Sequence, residues 1–269
     1  MQKPSHAVTS PLRLILLLPV ALLSLIPINA ANAAGTPGPA SSTNVVCRAG
    51  LSVSRRQLLT DDLRQITGWA NLHFDEQGGL HRGNAAAAGG SAAARELLGS
   101  AIAGDRVIVI EDASDRDDVV FCRVVPAAWK RPKVNAPRAY VVLIDFADFS
   151  HVIGDSAARA AFNPGWSVLH EIAHAVHDVN DAEKAGDELG DCERLINAMR
   201  QECGLAERAE YWYRIYPNME SSAFPGRFVR LAFVRQPPNE NKKQRYWLMW
   251  DANLVGGPGA EQSARTSFR

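Results

Sequence analysis

The chain has no excess of charge of either sign: 29 Lys and Arg stand against 29 Asp and Glu. Bulk electrostatic attraction to a nucleic-acid backbone is thereby excluded as a driving force. Cysteine is scarce. The four present, Cys47, Cys122, Cys192 and Cys203, are too widely spaced for a zinc-finger or Cys-x-x-Cys site. A membrane-spanning run is missing too, because the one long apolar stretch, Leu14 to Ile28, is short and interrupted by Pro19 and Pro27. No internal repeat appears, so a solenoid or propeller is excluded.

What the N-terminus does contain is Lys3 and Arg13, then that apolar stretch, then Ala31-Asn32-Ala33. A basic start, a short apolar core and a small-x-small site describe a secretory signal peptide cut after Ala33. The mature chain then carries 27 basic and 29 acidic residues. It is expected to be secreted or periplasmic, with no stable membrane insertion and no nucleic-acid partner. In an exported protein cysteines pair. Cys192 and Cys203 fall at the two ends of one helical segment, about 16 Å apart at 1.5 Å per residue, which is beyond disulfide reach. A disulfide is therefore expected between Cys47 and Cys122, or from one of them to that helix.

The stretch with chemical content is Val168-Leu169-His170-Glu171-Ile172-Ala173-His174-Ala175-Val176-His177. On a helix, His170 and His174 rise from one face and can share one metal ion. Glu171 lies about 100° further round, beside that ion, where it can hold an attacking water and take its proton. Zinc suits two imidazoles and a third ligand with one position left open for water. Asn163 and Pro164 supply the cap and first turn, and Trp166, Leu169, Ile172, Ala173 and Val176 supply an apolar back face.

Around this helix the pattern predicts a single α+β domain over residues 45–255. Residues 34–44 read as a flexible start and 256–269 as a disordered tail. A helix is predicted from about Thr60-Asp61-Asp62, and another late in the alanine-rich stretch ending at Ala103. Arg106–Glu111 and Val119–Val125 flank an acidic turn and predict a hairpin. Arg138–Phe146, the most apolar strand, is expected to be central or half-buried, and by analogy with zincins to offer an edge to extended substrate. Arg227–Arg235 and Gln244–Trp250 predict a C-terminal hairpin. Asp145, Asp148, His73, His81 and His151 read as turn or surface residues.

The third ligand is less defined. The long metzincin pattern would need Gly at 177 and a ligand at 180, where this chain has His177 and Asn180. Glu193 lies on a predicted helix over Asp191–Glu202, 19 residues after His174, a spacing close to that of thermolysin-like enzymes. Asn197 and Arg200 share its face, and Arg200 could steady a carboxylate or an oxyanion. Glu188, Asp191 and Asp181 are rivals. Tyr211, within a tyrosine-rich segment, could donate a hydroxyl to the developing oxyanion.

His-Glu-Ile-Ala-His-Ala-Val-His, a short acidic connection, and the block from Glu193 to Trp212 together resemble the NleD-type bacterial effector zinc metallopeptidases. The likeness runs through Asn197, Arg200, Glu202, Gly204, Leu205, Arg208 and Tyr211, and covers roughly residues 138–213. It implies a zincin-like fold and a zinc endopeptidase with one Zn²⁺ per chain, acting on protein or peptide substrates. The readings that compete with it are a non-catalytic exported binding protein and a zinc amidase of cell-wall peptides.

Overall fold

Ala139–Ile144 is apolar at nearly every position, and it forms a strand with Val141, Val142, Leu143 and Ile144 all buried. A strand that apolar needs cover on both faces, which parallel neighbours with crossover helices provide. In the computed structural model that cover is present. The structure describes residues 43–114, 116–127, 138–183, 189–211, 214–216, 228–238 and 240–255. The expected signal peptide, the C-terminal tail and Glu188 lie outside them.

In chain order the elements are β1 (Val45–Cys47), α1 (Val53–Thr67), β2 (His73–Phe74), β3 (Leu80–His81), α2 (Ala92–Ala103), β4 (Val107–Asp112), β5 (Cys122–Pro126), β6 (Ala139–Ile144), α3 (Phe146–Ser150), β7 (Ile153–Gly154), α4 (Ser156–Ala160), α5 (Pro164–His177), α6 (Asp191–Glu202), β8 (Glu207–Arg208), β9 (Arg214–Tyr216), β10 (Phe228–Arg235), β11 (Gln244–Asp251) and α7 (Ala252–Val255). The class is α+β, as expected. No helix among the described residues is long and apolar enough to cross a membrane.

One sheet has the order β1-β4-β6-β5, with β1, β4 and β6 parallel and β5 antiparallel at the edge. This overturns two expectations. β4 and β5 form no hairpin, because β6 lies between them. The edge facing outward beside β6 is therefore β5. The cause is burial: β6 gains most from a central place, while half-exposed β5, ending in Pro126, tolerates the rim. A second sheet runs β7-β11-β10-β8, with β9 also on β10, and contains the expected C-terminal hairpin. Its Val229, Leu231, Phe233, Leu248 and Trp250 close over Phe121, Ala158 and Ala161 in a core cluster separate from the one around α5.

α5 follows its sequence signals. Asn163 Oδ1 accepts from Trp166 N at 3.0 Å, Pro164 opens the first turn, and Asp178 ends the helix at φ 57°. Val168, Leu169, Ile172 and Ala173 are fully buried, and each of the larger three contributes roughly 1.5–3 kcal/mol by leaving water. Arg106 Nη1 donates to the carbonyls of Ala175 and Val176, placing a cation on the negative end of the helix. α1 begins earlier than expected, because Ser52 caps it by accepting from Arg55 N. α2 is capped by Ser91, whose hydroxyl also donates to Glu202 at the far end of α6.

All four cysteines are free thiols. Cys47 and Cys122 sit on strands at opposite edges of the first sheet, with two strands between them. At about 4.8 Å per strand that is roughly 14 Å, twice the reach of a disulfide. The expected cross-link is not formed.

Asp145 caps α3, accepting from Ala147 N at 2.8 Å and Asp148 N at 3.2 Å, which is the turn role expected of it. Asp148 reaches further and accepts the Phe121 N–H at 2.8 Å. Phe121 stands at φ 60°, with Cys122 N donating back to Val120 O at 2.7 Å across a γ-turn. Asp148 therefore holds a strained turn just before β5. Burial pushes its carboxyl up to about 7, against the Phe121 N–H and with help from Asp145. A raised carboxyl costs nothing below its unfolded value near 4, and its ionisation then opposes folding increasingly until pH passes about 7. Asp148→Asn keeps the acceptor and removes the charge. It is expected to add on the order of 2–4 kcal/mol at pH 8 and nothing near pH 4, read by urea unfolding at both. Equal differences at the two pH values would refute the assignment.

Candidate metal centre

α5 projects His170 and His174 from adjacent turns, and their Nε2 atoms converge to 3.2 Å. Asp181, on the segment that follows, spans both. Its Oδ1 lies 3.0 Å from His170 Nε2 and its Oδ2 3.3 Å from His174 Nε2. Donors held by one ion at 2.0–2.1 Å in tetrahedral directions are about 3.3 Å apart, so the three separations fit a shared zinc-sized cation. Asp181 Oδ1 is buried and meets no aligned hydrogen-bond donor, although His170 Nε2 is close. Cys192 Sγ completes the group: one donor atom from each of the four residues lies within 4.8 Å of the others. This cluster could hold a metal ion.

The remaining ring nitrogens are fixed. His174 Nδ1 lies 2.6 Å from Val179 O, and His170 Nδ1 lies 3.4 Å from Glu193 Oε2. Such partners orient imidazoles so that Nε2 faces a metal. Electrostatics agree. Burial opposes charge on Asp181, yet the two histidines hold its carboxyl far below the usual range. Burial likewise opposes charge on His174, yet Asp181 and Cys192 raise it to about 11, and His170 rises for the same reasons. The cluster favours positive charge at its centre, and a cation would compete with protons for that place.

The Asp181 segment is set by α6. Asn180 O accepts the Cys192 N–H at 3.1 Å. Gly190 must be glycine here, since a Cβ on it would come within 2.3 Å of the Asp181 carbonyl carbon and 2.4 Å of Ala182 N.

Glu193 does not join the convergence point. It is fully buried on the other side of His170, where Oε1 binds Arg200 Nη1 and Oε2 lies 3.2 Å from Arg208 Nη1. The carboxylate facing both Nε2 atoms is that of Asp181. Arg200 does steady a carboxylate, as its spacing suggests, and its Nη1 also donates to Asn197 Oδ1 at 2.8 Å. Tyr211 stacks on His170 with ring centroids 6.3 Å apart. Asp191 is exposed and paired with Arg194, and His177 is exposed at the end of α5. His81 pairs with Asp75 in the small β2–β3 hairpin, away from this group.

Glu171 is adjacent in chain and in space. Its Oε2 accepts the Val124 N–H of β5 at 2.9 Å. Burial pushes its carboxyl up, with His170 and His174 opposing. It opens, with His170, Cys122, Trp166 and Tyr211, onto a cleft. Val124 is also the reason β5 cannot extend the sheet by donation. Ala127 N bonds Ala139 O, so the odd residues of β5 face β6 and the even ones face outward. Of these, Cys122 N is held by Val120 O, Val124 N by Glu171, and Pro126 has none.

Cys192 is the residue that sequence reasoning passed over as a cross-linking thiol. The available signal was its place one residue before Glu193, in the first turn of a helix packed on α5. Compared with family models, with curated proteins and with solved structures, the chain matches none.

Proposed function

We propose that the chain is an exported zinc metallopeptidase of zincin-like architecture. The reading rests chiefly on one observation: two Nε2 atoms and the Asp181 carboxylate converge on one point, and Glu171, next to His170 in the chain, lines with it a cleft. Export rests on the sequence of residues 1–33 alone. Zinc, when bound, would lower the pKa of a water and polarise a peptide carbonyl. His170, His174 and Asp181 would hold it, with Glu193 and Val179 O orienting the rings. Glu171 would take the proton from the attacking water and deliver it to the leaving amine. Its raised carboxyl suits both transfers. Trp166 and Tyr211 would exclude water from the reacting face.

The test is Glu171→Gln. The variant is expected to keep its metal while hydrolysis of a mixed peptide library falls about 10²–10⁴-fold. Undiminished hydrolysis, or none by metal-loaded wild type, defeats the reading. One observation favours a second reading, a structural metal in a non-catalytic protein: Cys192 offers a fourth donor, and four protein ligands would leave no open position.

A further inference from the structure

We infer that the cleft beside His170 is a specificity pocket for a substrate carboxylate carried next to a large apolar side chain. The inference rests on the peptidase reading and names the substrate class of that same site.

Three observations carry it. The first is charge. The cleft is lined by Glu171 and His170 and, beyond them, by Glu193, Arg200 and Arg208, so two guanidiniums stand with two carboxylates. The Arg208 nitrogens are taken by Glu193 and the Glu210 and Tyr211 carbonyls, which leaves Arg200 as the donor. Arg200 is only 3 % exposed. Its Nε donates to Ala161 O at 3.0 Å and its Nη1 to Glu193 and Asn197, while no acceptor for Nη2 lies among the described residues. Trp166 and Phe233, with ring centroids 5.5 and 5.7 Å from Arg200 Cζ, fix the guanidinium plane. A preset planar donor at low dielectric is what a carboxylate fits best.

The second is apolar surface. Phe121, Phe162, Trp166, Leu231 and Trp250 also line the cleft, so the group beside the carboxylate meets apolar surface. The third is the edge of β5, which has no free N–H. Substrate cannot be held there by main-chain donation, so side-chain recognition in the cleft must supply the selectivity.

Glu193 touches His170 on one side and both arginines on the other, so Arg200 stands one carboxylate away from a histidine that would hold the metal. A carboxylate bound by Arg200 could be a C-terminal one or a Glu or Asp side chain. The chemistry is the same, and peptides separate the two.

The experiment measures binding of four labelled peptides to the full-length, zinc-loaded Glu171→Gln protein by fluorescence anisotropy. All contain Phe. One pair ends just after it, as the free acid or the amide. The other pair is amidated, with Glu or Gln beside the Phe. At least one carboxylate peptide is expected to bind about 10–100-fold more tightly than its neutral twin, the range for a charge-assisted hydrogen bond. A preference confined to the first pair identifies a terminal carboxylate, and one confined to the second an acidic side chain. Preferences under about threefold in both pairs overturn the proposal. Arg200→Gln is expected to erase the preference. Should that variant melt early, the peptide ratios on the parent protein still decide. Cleavage by wild type is scored separately, so its failure condemns the peptidase reading and leaves the binding ratio to judge the pocket.

Discussion

Asp181→Ala is expected to cost the protein its metal. Wild-type protein should carry about one zinc per chain by metal analysis after reconstitution. Asp181→Ala should bind more than 100-fold more weakly, and Glu193→Gln only about 10–100-fold, the range for a residue that orients a ligand without touching the ion. The asymmetry follows from geometry. Asp181 reaches both Nε2 atoms and has an oxygen with no aligned hydrogen bond to satisfy it. Glu193 reaches only Nδ1 of His170 and is already bound by two arginines. The reverse order would restore Glu193 as ligand and make Asp181 a bystander. Cys192→Ser belongs in the same series. Retained metal leaves the fourth position open for chemistry, whereas loss as severe as in Asp181→Ala would mean four protein donors and favour the structural reading.

How far this centre could be read from sequence depended on the range of the interactions involved. The α5 helix, its Asn163 cap, its buried face and the two converging histidines are all local, set within two or three turns, and they appear where the periodicity puts them. So do α6 and the C-terminal hairpin. Strand pairing is not local. The acidic turn after β4 looks like a hairpin, but the preference of Ala139–Ile144 for burial on both faces outweighs the closeness of β5 in sequence. The same holds for the third carboxylate. A helical Glu193 at a familiar spacing is the more regular candidate, yet α6 packs so that this residue lies behind His170, opposite two arginines supplied by Arg200 and the later Arg208. Asp181, a rival candidate because it lies beside the position-180 ligand of the metzincin pattern, sits on a short segment whose position depends on contact with Gly190. The disulfide expectation failed for a related reason, since sheet order alone separates Cys47 from Cys122.

Glu193→Ala is expected to be the most destabilising single change around the centre. Arg200 and Arg208 are 3 % and 14 % exposed at the side chain, and Glu193 is 1 % exposed. Removing the carboxylate leaves two guanidiniums without their shared counter-charge, which typically costs 3–5 kcal/mol. In a domain of this size that is a fall in melting temperature of roughly 6–20 °C. Despite burial, the two arginines hold the Glu193 carboxyl well below the usual range. Its contribution is therefore fully present above its unfolded value near 4.5 and shrinks as pH falls below that. The deficit of the variant should be constant from pH 6 to 8 and smaller at pH 3.5. Glu193→Gln with Arg200→Gln together should lose less than the sum of the single changes, because the double change removes a charge of each sign. A deficit below about 1 kcal/mol would mean that water relieves the network. Melting with chelator and with added zinc separates the two duties of Glu193. The ion-pair cost appears in both, whereas the cost of a loosened His170 appears only with zinc, as a smaller metal-induced rise in the variant than in wild type.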